Sequence, residues 1–274
     1  SVPMERLIAQ AEDMAEQGVK ELILVAQETT VYGKDLYGKK SLHILLKKLC
    51  EIRGIRWIRI LYCYPEEIYD ELIETIRDEK KICHYLDIPI QHASDRILKR
   101  MGRRTSKQEL IDIVGKLRKE IPDIVLRTTL ITGFPGETEE DHEELKEFVD
   151  EMEFDRLGVF TYSPEENTPA AEMADQVPEE VKEERRDELM ELQQEISYDR
   201  GQDRIGQELL VMIEGKVADE SAYIGRTYGD APKVDGYIFV QTGELLMTGD
   251  FAKVRVTGAL EYDLIGVLSD EYTE

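Results

Sequence analysis

Five short apolar runs in this chain each end on residues able to bind or orient a polar ligand. These are Gln27 and Glu28, Tyr64 and Pro65, Gln91 and His92, Thr132 to Glu137, and Tyr162 to Glu166. Ligands of parallel α/β proteins bind at the C-terminal ends of the strands, so the five endings predict one shared site. The richest stretch is RTTLITGFPGE, Arg127 to Glu137. Its β-branched run reads as a strand buried on both faces, leading into a turn of two glycines and a proline. Gly133 and Gly136 would let a ligand approach the backbone closely, and Thr138 to Asp141 open a helix in the manner of a capping box. Arg127 lies inside the run, where a guanidinium needs an anionic partner. That partner is either a protein carboxylate such as Asp87 or the carboxylate of a ligand. His92 reads as a hydrogen-bonded structural residue before it reads as a base.

Other chemistries are excluded. The chain has no GxSxG elbow, no P-loop lysine motif, no GxGxxG and no HExxH. No strand-end lysine in an apolar setting supports a Schiff base. The three cysteines, Cys50, Cys63 and Cys83, have no short spacing and make neither a zinc set nor a disulfide framework. Each reads as a structural thiol, in keeping with a reducing, cytoplasmic compartment.

The elements that must position these residues follow from periodicity. Up to about Tyr162, helical patterns alternate with the five runs, which predicts βαβ units around a parallel sheet or partial barrel over residues 1–175. Residues 176–204 form one charged helix, with 10 acidic and 5 basic residues between Pro178 and Arg204. Its apolar stripe (Val181, Leu189, Leu192, Ile196) is thin, so it reads as a solvated connector on the barrel rim. Over residues 205–274 the period becomes two. There ELLVMIEGKV, AYIGRTY, GYIFVQT, AKVRVTGA and DLIGVL predict a small five-stranded β-barrel of oligonucleotide-binding type. This segment has 5 basic and 13 acidic residues, whereas a nucleic-acid-binding barrel is normally basic. The whole chain of 274 residues carries net charge −24, which disfavours nonspecific nucleic-acid binding and favours basic partners, although charge alone can serve solubility. No apolar run approaches the roughly 20 residues that span a bilayer. With mean hydropathy −0.42 and no signal-peptide pattern at the N-terminus, a soluble chain without membrane association is expected.

Four segments, LVAQETTVYGKDLYG, DIPIQHASDRILKRMGRR, RTTLITGFPGETEED and GVFTYSPEENTPAA, occur in this order and spacing. In this the chain resembles the radical S-adenosylmethionine methylthiotransferases, over nearly its whole length. The resemblance implies a partial parallel (β/α) barrel of radical-SAM type followed by a five-stranded TRAM-like β-barrel. One branch of the family modifies an adenosine in tRNA. The other modifies an aspartate side chain of the twelfth small-subunit ribosomal protein. IGRTYGDAPKVDGYIFV and YDLIGVL resemble the second branch, although Lys233 stands where the family often has an acidic residue. The acidic barrel also suits a basic ribosomal protein and would repel tRNA phosphates. The tRNA branch is the alternative, followed by a non-catalytic module that docks to a basic protein, and then by an ordinary lyase or aldolase.

The resemblance implies S-adenosylmethionine, cleaved reductively by a 4Fe-4S cluster so that a hydrogen leaves the aspartate β-carbon. A second cluster would help deliver the methylthio group. The family's CxxxCxxC loop and its three further cluster cysteines are not in this chain, and no ligand role passes to Cys50, Cys63 or Cys83. The chain is therefore expected to hold neither of the two clusters, to be inactive alone, and to be a fragment or the ordered part of a longer protein. No electron donor is identified. By matched motif, the resemblance sets Gln27 against the amino-acid part of S-adenosylmethionine, and Gln91, Arg127 and Thr129 against its ribose and carboxylate. Gly133 and Glu137 would shape the turn near the adenine. Tyr162 and Glu165 would close the site, and Asp230 and Asp235 would contact the substrate.

Overall fold

Alternation of side chains across five short strands organises the first part of the fold. The computed structural model describes residues 1–218 and 220–273, with residues 270–273 described by backbone alone. Strands β1 (Glu21–Leu24), β2 (Trp57–Ile60), β3 (Ile82–Asp87), β4 (Val125–Thr132) and β5 (Arg156–Thr161) form one parallel sheet in sequence order, with β1 and β5 at its edges. Parallel neighbours need long crossovers. Helices fill the segments before and between the strands: α1 (Met4–Glu16), α2 (Lys34–Tyr37), α3 (Leu42–Cys50), α4 (Asp70–Asp78), α5 (Asp95–Arg100), α6 (Lys107–Glu120) and α7 (Glu139–Met152). One strand face sends Ile58, Ile60, Leu86, Leu126, Leu130 and Val159 into a core with Leu46, Ile76, Leu117 and Phe148. The capping box of α7 is present: Thr138 Oγ1 accepts from the Asp141 amide, and the Asp141 carboxylate accepts from the Thr138 amide at 2.8 Å.

The other face lines the lumen of the partial barrel and is polar. It carries Arg59, Tyr85, Asp87, Arg127, Thr129 and Arg156, which alternate along the strands with the core residues. β4 is therefore not buried on both faces. Leu126, Thr128, Leu130 and Thr132 are buried, while Arg127, Thr129 and Ile131 are half-buried toward the lumen.

The charged helix, α8 (Glu179–Gln202), corrects the expectation of a solvated connector. Lys182, Arg185, Leu189, Gln193, Ile196, Ser197 and Gly201 are all buried. Its polar residues can bury because each finds a partner on the α/β layer. Lys182 Nζ donates to the Tyr162 carbonyl at 2.9 Å, Arg185 to Glu137 at 2.9 Å, and Gln193 Nε2 to the Phe154 carbonyl at 2.8 Å.

Strands β6 (Glu208–Lys216), β7 (Ala222–Arg226), β8 (Ile238–Gln241), β9 (Phe251–Ala259) and β10 (Leu264–Thr273) close into a barrel of order β10-β8-β7-β6-β9. Its own core includes Val211, Ile213, Val240 and Val254. This barrel docks on the N-terminal ends of the first five strands. Trp57 meets Phe251 edge-on at 4.9 Å, and Cys83, Tyr85 and Val125 pack with Met212 and Ala231.

Buried charges complete the seam. Arg226, 2 % exposed, donates to Glu21 at 2.6 Å and to Glu214 at 2.7 Å. The other Glu21 oxygen accepts from Arg59 Nε at 2.8 Å, and Arg59 also donates to the Tyr228 carbonyl at 2.6 Å. Asp230 accepts from Arg156 at 2.5 Å, and Asp235 accepts from the Tyr85 hydroxyl at 2.7 Å and lies 3.3 Å from Arg127 Nε. Asp230 and Asp235, expected to contact the substrate, are thus buried inside the seam, where lumen arginines require carboxylates. Burial opposes ionisation of Asp230, but Arg156 and the Thr227 hydroxyl hold its carboxyl below the ordinary aspartate range. At Asp235 burial prevails and pushes the carboxyl up.

Candidate functional site

At the C-terminal ends of the strands the lumen opens into a cavity of about 1000 Å³. Gln27, Gln91, Arg127, Thr129 and Tyr162 all line it, joined by Tyr62, Tyr64, Asp87, Arg103, Phe134 and Phe160. Gln91 follows β3 in a left-handed backbone conformation, φ 74°, which costs a non-glycine residue about 1–2 kcal/mol. Its amide donates to the Thr129 carbonyl at 2.9 Å and its carbonyl accepts from Ile131 at 2.8 Å, so β4 holds the strained residue in place. Tyr62, φ 58°, turns the chain after β2, and its amide donates to Asp87 at 3.2 Å. Glu28, beside the exposed Gln27, accepts from the amides of Thr30 at 2.8 Å and Tyr64 at 2.9 Å, tying two strand ends together.

Arg127 resolves the choice left open by sequence in favour of a protein partner, while still facing the cavity. Its Nη1 donates to Asp87 at 2.9 Å and lies 3.3 Å from Thr129 Oγ1. The Tyr162 ring stands edge-on to Phe134 at 5.2 Å, and its buried hydroxyl has no hydrogen-bond partner. Arg103 stacks over Tyr64 at 4.7 Å and leaves Nε without a partner.

Three expected site residues lie elsewhere. Gly133 is approached by Lys182 of α8: a Cβ at Gly133 would overlap the Lys182 side chain, and one at Gly136 would overlap Asp175 and the Arg100 guanidinium. The two glycines admit protein rather than a ligand. Glu137 is buried beneath the turn, its oxygens taken by the Gly133 amide at 2.9 Å, Arg185 at 2.9 Å and His92 at 3.4 Å. Burial opposes its ionisation, but His92, the Gly133 amide and Arg185 hold its carboxyl below the usual glutamate value. Glu165 is exposed outside the cavity, and its carbonyl accepts from Thr168 Oγ1 at 2.8 Å. His92 is structural, as expected: Nδ1 accepts from the Ser94 amide at 3.0 Å and the ring is fully buried.

Phe160, Tyr62 and Arg103 were not singled out from sequence. Arg103 stands in the quoted MGRR segment, but nothing in that segment signals the turn that returns it to the cavity. Tyr62 depends on a left-handed bend that only the structure shows.

Residues 1–149 match the Radical SAM superfamily and residues 205–268 match the TRAM domain. The chain belongs to the radical SAM superfamily. It is 67% identical over 266 residues to ribosomal protein uS12 methylthiotransferase RimO of Lachnoclostridium phytofermentans, covering 97% of this chain and 60% of that protein. Against RimO of Clostridium perfringens it is 54% identical over 268 residues, with coverage of 98% and 60%. The chain thus spans about 60% of the length of these curated relatives. Coproporphyrinogen III oxidase (HemN) from Escherichia coli, a radical SAM enzyme, superposes with a TM-score of 0.56 at 16% identity, covering 92% of this chain and 60% of that one. This likeness supports the fold alone.

The superfamily implies S-adenosylmethionine and a 4Fe-4S cluster. The cavity fits the first: it has aromatic faces for a purine, amide and hydroxyl groups for a ribose, a fixed guanidinium for a carboxylate, and an orphaned Tyr162 hydroxyl. The cysteines do not fit the second. Burial pushes the Cys50 and Cys83 thiols up to about 12 and raises Cys63 well above its ordinary value, the opposite of thiolate ligands. Among the described residues the three-member group of metal-ligand types is His142, Glu143 and Glu188, without a cysteine.

Among the described residues no helix is long and apolar enough to cross a membrane.

Proposed function

We propose that this chain is the cofactor- and substrate-holding body of a methylthiotransferase that acts on an aspartate of ribosomal protein uS12. The observation that carries the reading is the convergence of Gln27, Gln91, Arg127, Thr129 and Tyr162 on one cavity, in a chain two-thirds identical to a uS12 methylthiotransferase. When bound, S-adenosylmethionine and its clusters supply the radical chemistry. This chain's residues bind and orient: Arg127, fixed by Asp87, meets the carboxylate; Gln91 and Thr129 meet the ribose; Tyr62, Tyr64, Phe134 and Tyr162 present faces to the adenine; Gln27 contacts the amino-acid part. In this reading the complete protein uses two 4Fe-4S clusters whose ligands lie outside this chain, and works in the cytoplasm.

The working organisation is 1–175 for the barrel, 176–204 for α8 and its approach, and 205–274 for the TRAM-like unit. That last segment carries 5 basic and 13 acidic residues, which suits a basic protein and repels tRNA. Glu165, exposed two positions past the cavity residue Ser163, is kept as a substrate contact.

The test is a titration of this chain with purified uS12 and, separately, with a tRNA anticodon stem-loop, each at two salt concentrations. Saturable binding of uS12 alone, weakened by salt, is expected. Preferential binding of the stem-loop moves the assignment to tRNA modification.

A further inference from the structure

A second cavity, of about 590 Å³, lies between β5, α8 and the Ala231–Gly236 loop of the β-barrel unit. It meets the first cavity at Arg127 and Phe160, which line both. Its walls are mostly apolar, with Met190, Val234, Tyr237 and Tyr262 prominent, and Phe160 and Val234 are 60% and 57% exposed. Three observations point to an occupant.

β5 is an edge strand. The Tyr162 amide points to β4, donating to Thr132 at 2.8 Å, so the period of two turns the backbone groups of Leu157, Val159 and Thr161 to the free edge. An open edge is a template for another extended chain. Second, Gln193 is fully buried on the groove wall, and its Oε1 has no hydrogen-bond partner. An orphaned acceptor costs about 1–3 kcal/mol, which an incoming N–H would recover. Third, Gly158 lies at the junction between Arg127 and Phe160. A Cβ at Gly158 would stand in ordinary van der Waals contact, 3.8 Å from both Arg127 Nη2 and the Phe160 ring, so a methyl group is accommodated while a branched side chain would reach into the junction.

We infer that this groove holds an extended segment of the protein substrate along β5, and that the residue to be modified reaches the first cavity past Gly158. The inference rests on the methylthiotransferase reading. A nucleic acid is the poorer occupant: Arg127 and Arg156 are already paired with Asp87, Asp235 and Asp230, which leaves the exposed Lys233 to meet phosphates on a wall that also carries Asp155 and Asp263.

The experiment measures uS12 binding to the 274-residue chain, with Gly158→Val and Gln193→Leu as variants whose folding is checked by circular dichroism. Hydrogen exchange is followed with and without uS12. Expected are a loss of at least about tenfold in affinity for Gly158→Val, about 1.4 kcal/mol, a smaller loss for Gln193→Leu, and slowed exchange at Leu157, Val159 and Thr161. If Gly158→Val does not fold, Gln193→Leu and the exchange pattern decide. Parent-like binding by both folded variants, with slowed exchange confined to β6–β10, overturns the groove while leaving the uS12 reading intact. A parent chain that ignores uS12 and binds the stem-loop overturns both.

Discussion

Arg226→Met tests whether the charged seam holds the two parts of the molecule together. The substitution keeps the aliphatic volume and removes a guanidinium that donates to Glu21, Glu214 and the Asp230 carbonyl. Breaking a buried ion pair by removing one member costs about 3–5 kcal/mol, because the other charge stays buried. Two features set the expectation at the lower end. The Glu214 side chain is 34% exposed and regains water, and Glu21 keeps Arg59. About 3 kcal/mol is therefore expected, or roughly 6–12 °C in Tm. The single tryptophan, Trp57, sits in the seam against Phe251 and reports its opening by fluorescence, while circular dichroism reports the whole fold. In urea, the fluorescence transition should move to lower concentration at least as far as the dichroism transition. The double variant Glu21→Gln/Arg226→Met should be less destabilised than the sum of the singles, since the two residues share one contact. A midpoint within about 0.5 kcal/mol of the parent, or strict additivity in the double variant, would refute the reasoning.

Three further outcomes follow from the site. Gly133→Ala combines φ 68° with overlap of the buried Lys182 chain and should lower stability by about 1–3 kcal/mol or more, measured by urea unfolding; a neutral result would mean that α8 shifts freely. Gln91→Gly relieves a left-handed conformation, so the chain should hold or gain up to about 1 kcal/mol of stability, while the complete protein loses S-adenosylmethionine affinity; unchanged affinity would remove Gln91 from the binding set. Glu137 has a carboxyl pKa lowered by folding, so its contribution is complete above the unfolded value, about 4.3, and is lost as pH falls through the folded value. The stability difference between the parent and Glu137→Gln should accordingly shrink between pH 5 and about pH 3; a difference independent of pH would place the effect in packing alone.

Much of the architecture was legible because its signals are local. Apolar runs of period two or buried type, interrupted by helical periods, place β1–β10, and the Thr138–Asp141 box marks the start of α7. Strand endings likewise brought Gln27, Gln91 and Tyr162 to one cavity, since parallel strands bring their C-terminal ends together, while Arg127 and Thr129, inside β4, were marked by the family resemblance. What was not legible depends on partners far along the chain. Gly133 signals a close approach, but not that Lys182 is what approaches. The GDAPKVDG stretch is recognisable as a motif, yet only the fold shows that its two aspartates meet Arg156 and Arg127. The thin apolar stripe of α8 concealed a helix seated by Lys182, Arg185 and Gln193, because buried polar side chains look like solvated ones until their acceptors are known.

The seam also orders the assembly of the molecule in time. Glu21 and Arg226 lie 205 positions apart, and Arg156 and Asp230 lie 74 apart, so part of the lumen charge of the first sheet emerges from synthesis long before its partners in the second barrel. Until then Arg156 is hydrated, the Glu21–Arg59 and Arg127–Asp87 pairs are open to water, and the half-made sheet exposes a wet inner surface rather than a sticky apolar one. Closure of such distant contacts is slow and late. On this reasoning the second barrel would expel that water as it seats. Because Asp235 reaches Arg127 only at that step, the pocket would acquire its final geometry only after the Ala231–Gly236 loop is made and seated. A nascent or C-terminally clipped chain would thus be soluble yet unable to present a finished ligand site.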